Sequence, residues 1–184
     1  MNPHLHFIAL IPEKSFSDKI RVLQEELKDN FGLNYAMRIP PHITLQAPFE
    51  CRSNDQDKLN ACIREMKKEL VPVTLTTDNF GSFIESVIYV GLQPSPGLLK
   101  MQQAIVDTLE SKECLAPAQR NNHYQPHITL AHRDLDNLRF PKVWDHFANK
   151  EWKETFAIER LVIYKHEEGR WLEFKSMPLA LELV

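Results

Sequence analysis

Glycine is scarce: five residues in a chain of 184. Neither G-x-x-x-x-G-K-[ST] nor G-x-G-x-x-G occurs, so a nucleoside-triphosphate cradle and a dinucleotide-binding turn are excluded by pattern. Cysteine is also scarce. Cys51, Cys62 and Cys114 make an odd set with no C-x-x-C spacing. That argues against a disulfide framework and a zinc knuckle, and suits a reducing cytoplasm. There is no basic excess; the formal net charge is -3. Proteins that grip long duplex nucleic acid through its phosphates carry many unbalanced Lys and Arg, so the expected nucleic-acid partner is a small nucleotide or a strand end. No apolar run approaches the roughly 18 residues of a membrane span. The stretch "MNPHLHFIALIPEKS" has no basic leader region, and no secretory signal is expected.

What is present is a paired pattern. The letters P-H-I-T-L occur at Pro41 to Leu45 and again at Pro126 to Leu130. Each block is short, β-branched and bounded by proline, and reads as a strand. The flanking elements repeat as well. The first half reads as a strand at Leu5 to Pro12, a helix at Ser15 to Gly32 with serines available as caps, the first P-H-I-T-L strand, a helix at Asn54 to Leu70, and a strand at Val73 to Phe83. The second half reads as a strand at Ser86 to Pro94, a helix from Gly97, a strand "HITLAHR", a helix "FPKVWDHFANKE", and a hairpin turning at "EEG". Its strands lie near Thr155 to Lys165 and Arg170 to Met177. The composition, 43% hydrophobic and 26% charged, supports one globular domain over residues 1–184, built of repeats at roughly 4–83 and 86–176. The expected architecture is α+β: bilobal and pseudo-twofold, with two mostly antiparallel sheets lining a central cleft and helices packed outside.

On a strand, residues two apart share a face. His42 and Thr44 therefore point one way, and Ile43 and Leu45 the other. His127 and Thr129 are set against Ile128 and Leu130 in the same manner. If a twofold relates the halves, both polar faces converge on one groove. Two imidazoles and two hydroxyls suit phosphodiester cleavage. A ring with a pKa near 6.5 takes a proton from the nucleophile, and its partner gives one to the leaving oxygen. The hydroxyls hold the non-bridging oxygens. That scheme needs no metal and no cofactor.

Two H-x-T blocks, one in each half, resemble the 2H phosphoesterase superfamily, and within it the group of 2′-5′ RNA ligases and cyclic phosphodiesterases. The resemblance covers nearly the whole chain. It implies a bilobal fold with a central cleft, metal-independent hydrolysis of 2′,3′-cyclic phosphates or related nucleotide and RNA-end phosphodiesters, and in some members RNA end joining. It also implies His42 as general acid and His127 as general base. A ligase activity here would run by reversing cyclic-phosphate chemistry. The alternative is a non-catalytic module on the same fold that binds a nucleotide or RNA end. The partner expected is a cyclic phosphate nucleotide or an RNA end, the location cytoplasmic, and the state monomeric.

Other candidates follow from position. Arg133 is placed to reach a phosphate and Tyr124 to stack on a base, with Tyr35 and Arg38 doing the same on the other side. Of Tyr164 and Lys165, on a late strand, only one can face the cleft. His4 and His6 have a spacing open to metal ligation, but with no Cys or carboxylate partner in view they read as strand-surface histidines, with a cleft-lining role as the other option. His132, at odd spacing from His127, is expected on the opposite face. His123, His146 and His166 read as loop or surface residues. Trp144, Trp152 and Trp171 read as core or hairpin packing.

Overall fold

Seven strands and four α-helices make up the fold in the computed structural model, which describes residues 4–51, 56–120 and 123–179. In chain order these are β1 (His4–Pro12), α1 (Lys14–Phe31), β2 (Ile43–Cys51), α2 (Gln56–Glu69) and β3 (Thr74–Phe83), then β4 (Val87–Leu92), α3 (Pro96–Ser111), β5 (His127–Ala131), α4 (Phe140–Asp145), β6 (Thr155–Glu167) and β7 (Arg170–Pro178). A single 3₁₀ turn at Tyr35–Arg38 precedes β2, and another at Pro117–Gln119 precedes β5. The strand-helix-strand-helix-strand order thus recurs, with β7 added. Asn54 and Asp55, expected to open the second helix, lie outside the described residues.

Every strand pairing is antiparallel. The order is β1-β2-β5-β4-β3-β6-β7, with a further pairing of β1 to β6. The two expected sheets are therefore two arms of one hydrogen-bonded set, joined at two seams. One seam is the single pair Ile43↔Ile128. The other sets Thr74, Leu75 and Thr76 against Ala157, Phe156 and Thr155. β3 pairs with β4, and β6 with β1, so each repeat lends its last strand to the sheet begun by the other.

The register shows where the pseudo-twofold passes. Ile43 and Ile128 are the same letter of the P-H-I-T-L repeat, and they pair with each other. Leu10 pairs with Ile43 as Val90 pairs with Ile128. Two helices then lock the strands crosswise. On α1, Gln24 donates from Nε2 to the Thr129 carbonyl on β5 at 3.1 Å. On α3, Gln102 donates to the Leu45 carbonyl on β2 at 3.3 Å. Both glutamines are buried on otherwise apolar helix faces, beside Ile20 and Leu27 or Met101 and Ile105.

The unbroken apolar run of β1 is explained by burial on both faces. Ile8 and Leu10 join the main core with Ile20 and Leu27 of α1. Phe7, Ala9 and Ile11 join a smaller cluster with Val162 and Tyr164 of β6. Cys62 and Cys114 lie within the main core, their Sγ atoms 3.4 Å apart.

Three local expectations are corrected. The serines near the start of α1 do not cap it. Its N-cap is Glu13, whose side chain makes no capping bond but accepts from Ala157 N–H, and Ser17 Oγ donates to the Pro12 carbonyl. Gly32 does close α1, in the left-handed conformation at φ 71°, with its N–H on the carbonyls of Leu27 and Lys28. α4 stops at Asp145, well short of the expected Glu151, and the chain continues in turns, with three-residue bonds from Phe147 N–H to the Trp144 carbonyl and from Lys150 N–H to the Phe147 carbonyl. β5 ends at Ala131: Arg133 has φ 58° and Asp134 N–H closes on the His132 carbonyl.

Ile43 and Ile128 are both fully buried and make the only pair in their seam among the described residues. Ile43→Ala and Ile128→Ala should each cost about 2–5 kcal/mol in urea unfolding, by similar amounts. A loss under about 1 kcal/mol for either, well below the usual cost of such a cavity, would show that the seam is not a stabilising contact.

Candidate active site

The cleft is set by the two strands that meet at Ile43↔Ile128. Alternation holds at both. Ile43, Leu45, Ile128 and Leu130 are at most 2% exposed, while His42, Thr44, His127 and Thr129 are half-buried and line a cavity of about 1120 Å³. The two imidazoles are held alike. His42 Nδ1 lies 2.8 Å from the Pro40 carbonyl, and His127 Nδ1 lies 2.8 Å from the Gln125 carbonyl, each two residues upstream. A carbonyl only accepts, so Nδ1 carries the hydrogen in both rings and Nε2 remains as the atom available for proton transfer.

Aromatic rings back each imidazole. Phe7 lies 5.5 Å from His42 and is itself stacked on Tyr164 at 4.7 Å. Phe83 meets His127 edge-on at 5.0 Å, Tyr89 lies 5.1 Å from it, and those two rings are stacked on each other. Burial makes the charged form of each ring costly. It pushes His42 down to about 4, against the Pro40 hydrogen bond, and the neighbouring His127 and His132 push the same way. His127 is also lowered by burial, opposed by its bond to Gln125. Both shifts favour the neutral form of the ring at neutral pH.

Tyr35, Arg38, Tyr124 and Arg133 all line this cavity with the H-x-T residues. Tyr164 and Lys165 do not. Tyr164 is 1% exposed, in the layer behind Phe7, and Lys165 Nζ pairs with Glu167 at 2.6 Å. Alternation does hold on β6: Tyr164 lies on the cleft side with its ladder partner Phe7, but is covered there, and Lys165 lies on the opposite side with His6.

Several lining residues run against the sequence reading. His132 lines the cleft, its ring 5.0 Å from Tyr35, because the strand ends before it and the alternation rule no longer applies. Its pKa is lowered, first by burial and then by Arg133. His166 and Trp171 also line the cleft, from the β6–β7 hairpin, in contact with each other at 5.0 Å. His6 is not on the surface. It is buried between Phe49 and Phe174, on the face of β1 away from the cleft. His146 is half-buried and donates to Glu26 at 2.6 Å. Gln24 reaches the cleft wall from α1, and its one available signal is a polar residue on an apolar helical stripe. Among the described residues no group of three or more His, Cys, Asp or Glu is placed to hold a metal ion, and no helix is long and apolar enough to cross a membrane.

Fold and paired H-x-T site together define a 2H phosphoesterase. The sequence profile of the 2′-5′ RNA ligase superfamily matches residues 12–170, and the chain belongs to that superfamily. A Bacillus licheniformis protein named "Putative phosphoesterase" is 28% identical over 176 residues, covering 94% of this chain and 96% of its own. Among solved structures, E. coli LigT complexed with 3′-AMP superposes with a TM-score of 0.64 at 21% identity, covering 98% of this chain and all of that one. A Thermus thermophilus protein does so with a TM-score of 0.66 at 15% identity, covering 95% of this chain and 97% of its own. These superpositions establish the shared fold.

The lowered histidines predict an acid sensitivity. Unfolded, His42 titrates near its ordinary 6.5; folded, near 4. Between those values the unfolded chain binds more protons, so stability falls as pH drops from about 6.5 through about 4. Imidazole NMR titration should place His42 near 4, and His127→Ala should raise it by removing a like charge. A His42 resonance titrating at its ordinary 6.5 or above would remove the desolvation argument.

Proposed function

We propose that the protein is a metal-independent phosphodiesterase acting on 2′,3′-cyclic phosphates or related nucleotide and RNA-end phosphodiesters. The observation that carries this reading is the matched pair of imidazoles in one cleft, each locked through Nδ1 to a carbonyl two residues upstream, each two residues from a threonine that lines the same cleft. The phosphate sits between the rings. One Nε2 removes the proton of an attacking water, while the other, protonated, gives its proton to the departing ribose oxygen. Protons balance: one ring ends charged and the other neutral, and product release restores the pair. Thr44 and Thr129 donate to the non-bridging oxygens, whose charge grows in the transition state. With a 5′-hydroxyl in place of water, the same steps join an RNA end. Nucleotide binding fits this cleft, and the E. coli LigT fold neighbour has been solved with 3′-AMP and with ATP.

An anionic substrate suits a site of neutral, desolvated imidazoles. Bound phosphate favours the charged form of whichever ring acts as acid, so the proton is taken up with substrate. In the free protein the two limbs of kcat/KM report the pair, with one limb near 4 and the other below 6.5. The expected profile is a bell with its maximum on the acid side of 6.5, and it has the same limbs whichever ring is the base.

Single replacements His42→Ala and His127→Ala should each lower kcat by roughly 10²–10⁴. The double variant should lose less than the product, because both rings act on one transition state. Thr44→Ala and Thr129→Ala should cost less than either histidine. Wild-type rates should survive exhaustive chelation with EDTA. Turnover of 2′,3′-cyclic nucleotides, with product regiochemistry read out, is the deciding assay. Binding without turnover would replace this reading with a nucleotide-binding module, and a rate lost to EDTA and restored by zinc or manganese would replace the metal-free mechanism.

A further inference from the structure

The two imidazoles are near-equivalent, so they do not determine which way round a phosphodiester lies. The arms of the cleft beyond them are not equivalent. β2 and β5 run antiparallel through Ile43↔Ile128. Onward along β2 the lining leads to Ala47 and Pro48, near Leu5, whose neighbour in the ladder is Glu50. Trp171 and Leu172 complete this arm, with one acid and one base, Glu168 and Arg170, from the same hairpin, and Trp171 rests edge-on against Phe7 at 4.7 Å. Onward along β5, in the opposite direction, the lining leads to His132 and Arg133, where Tyr35 and Arg38 also lie.

That second arm is built around one tyrosine. Arg133 Nη1 donates to Tyr35 Oη at 2.8 Å. The Arg133 guanidinium lies 5.2 Å from the Tyr35 ring centre and that of Arg38 lies 4.3 Å from it. The turn carrying Tyr35 is tied to the exit of β5, because the Asn34 and Tyr35 N–H groups both donate to Asp134 Oδ2 at 2.7 Å. That carboxylate is thus engaged with backbone. The arginines that do form ion pairs among the described residues are Arg120, Arg139 and Arg160; Arg38 and Arg133 have no described carboxylate within that reach. Two guanidinium groups held on one ring and facing a cleft, neither of them in a described ion pair although Asp134 is close by, are a fork for phosphate oxygens. β5 rises roughly 3.3 Å per residue, so Ala131 already lies about 7 Å beyond Thr129 along the cleft. The fork is offset from the phosphate held between the imidazoles.

We infer that Tyr35, Arg38 and Arg133 form a subsite for a second anionic group of the substrate, a phosphate monoester or diphosphate separate from the scissile phosphate, and that this subsite sets the direction in which the phosphodiester lies. The inference rests on the function proposed above and names the substrate class more narrowly: a cyclic phosphate or diester that carries a further phosphate on one side.

The test compares adenosine 2′,3′-cyclic phosphate with and without a 5′-phosphate, in the wild type and in Arg38→Ala/Arg133→Ala. The wild type should favour the 5′-phosphorylated compound in kcat/KM by about 10-fold or more at low salt, and the ratio should collapse toward one in the double variant. Arg38→Gln/Arg133→Gln, which keeps side-chain bulk without charge, serves if the alanine variant unfolds. In parallel, binding of adenosine 3′,5′-bisphosphate and adenosine 3′-monophosphate is measured by calorimetry, which needs no turnover. A bisphosphate preference lost in the variant supports the subsite even where no cyclic phosphate is hydrolysed, a result that would overturn the hydrolytic reading alone. Hydrolysis with no preference for the 5′-phosphate, or a preference that survives loss of both arginines, overturns the subsite and leaves the hydrolytic reading standing. Absence of both turnover and preference overturns both.

Discussion

One backbone pairing carries the site. Ile43 and Ile128 are equivalent residues of the repeat, and their mutual pairing puts the local twofold between two copies of H-I-T. Given that pair, strand alternation does the rest. Both isoleucines and both leucines go into the core, and both histidines and threonines go into one cleft. No loop has to be placed with care for the imidazoles to converge. Rigid strands buried on the far side hold them, and the crossed glutamines hold the strands: Gln24 on the Thr129 carbonyl and Gln102 on the Leu45 carbonyl. Each helix thus fixes the H-x-T strand of the other repeat. The halves cannot shift relative to one another without breaking buried hydrogen bonds, which are costly to leave unmade.

The same burial that fixes the rings sets their electrostatics. Aromatic backing removes water from one side of each imidazole, and the carbonyl bond at Nδ1 compensates only in part. Both shifts favour the neutral imidazole at ordinary pH. In the mechanism proposed above, an arriving phosphate would supply the counter-charge that makes one ring an acid, tying protonation to occupancy. Permanent charge lies instead on Arg38 and Arg133 at one end of the cleft.

Much of this is legible in the sequence. The P-H-I-T-L repeat, the order of elements around it and the two-residue spacing of His and Thr foretell the strand faces and the convergence. Where sequence reading fails, the rule behind it has stopped applying. His132 falls on the wrong face when alternation is carried past Ala131, because a left-handed Arg133 ends the strand. Tyr164 takes the cleft side of β6, as alternation allows, but the Phe7 and Trp171 rings pack over it, and no local pattern announces that cover. His6 reads as a surface residue because its partners, Phe49 and Phe174, come from strands far away in the chain. The approach of Cys62 to Cys114, between α2 and the end of α3, is likewise a tertiary fact, with no local spacing to announce it. The exchange of last strands between repeats is invisible for the same reason: nothing local in β3 or β6 names its partner, and only the closed ring of pairings decides which sheet each one joins.

Symmetry and its breaking divide the work. The centre follows a repeat and keeps its twofold in detail, down to the carbonyl two residues before each histidine. Under the proposed mechanism such a centre would be indifferent to the direction of the ester, since base and acid would exchange roles when the substrate is reversed. Direction would then have to come from groups outside the repeat, and those are the residues that the two halves do not share. Where β5 gives way to His132 and Arg133, the equivalent stretch of β2, Ala47 and Pro48, remains in a strand that runs on to Cys51, with bulges against β1. The 3₁₀ turn that carries Tyr35 and Arg38 is fastened to this broken strand end through Asp134. The early end of β5 therefore does two things. It ends the sheet on one side of the cleft, and it leaves room for Arg133 beside Tyr35 and Arg38, whereas the other arm carries Arg170 together with Glu168 from the β6–β7 hairpin. In the function and subsite proposed above, the repeat would supply the chemistry and the strand cut short on one side its orientation.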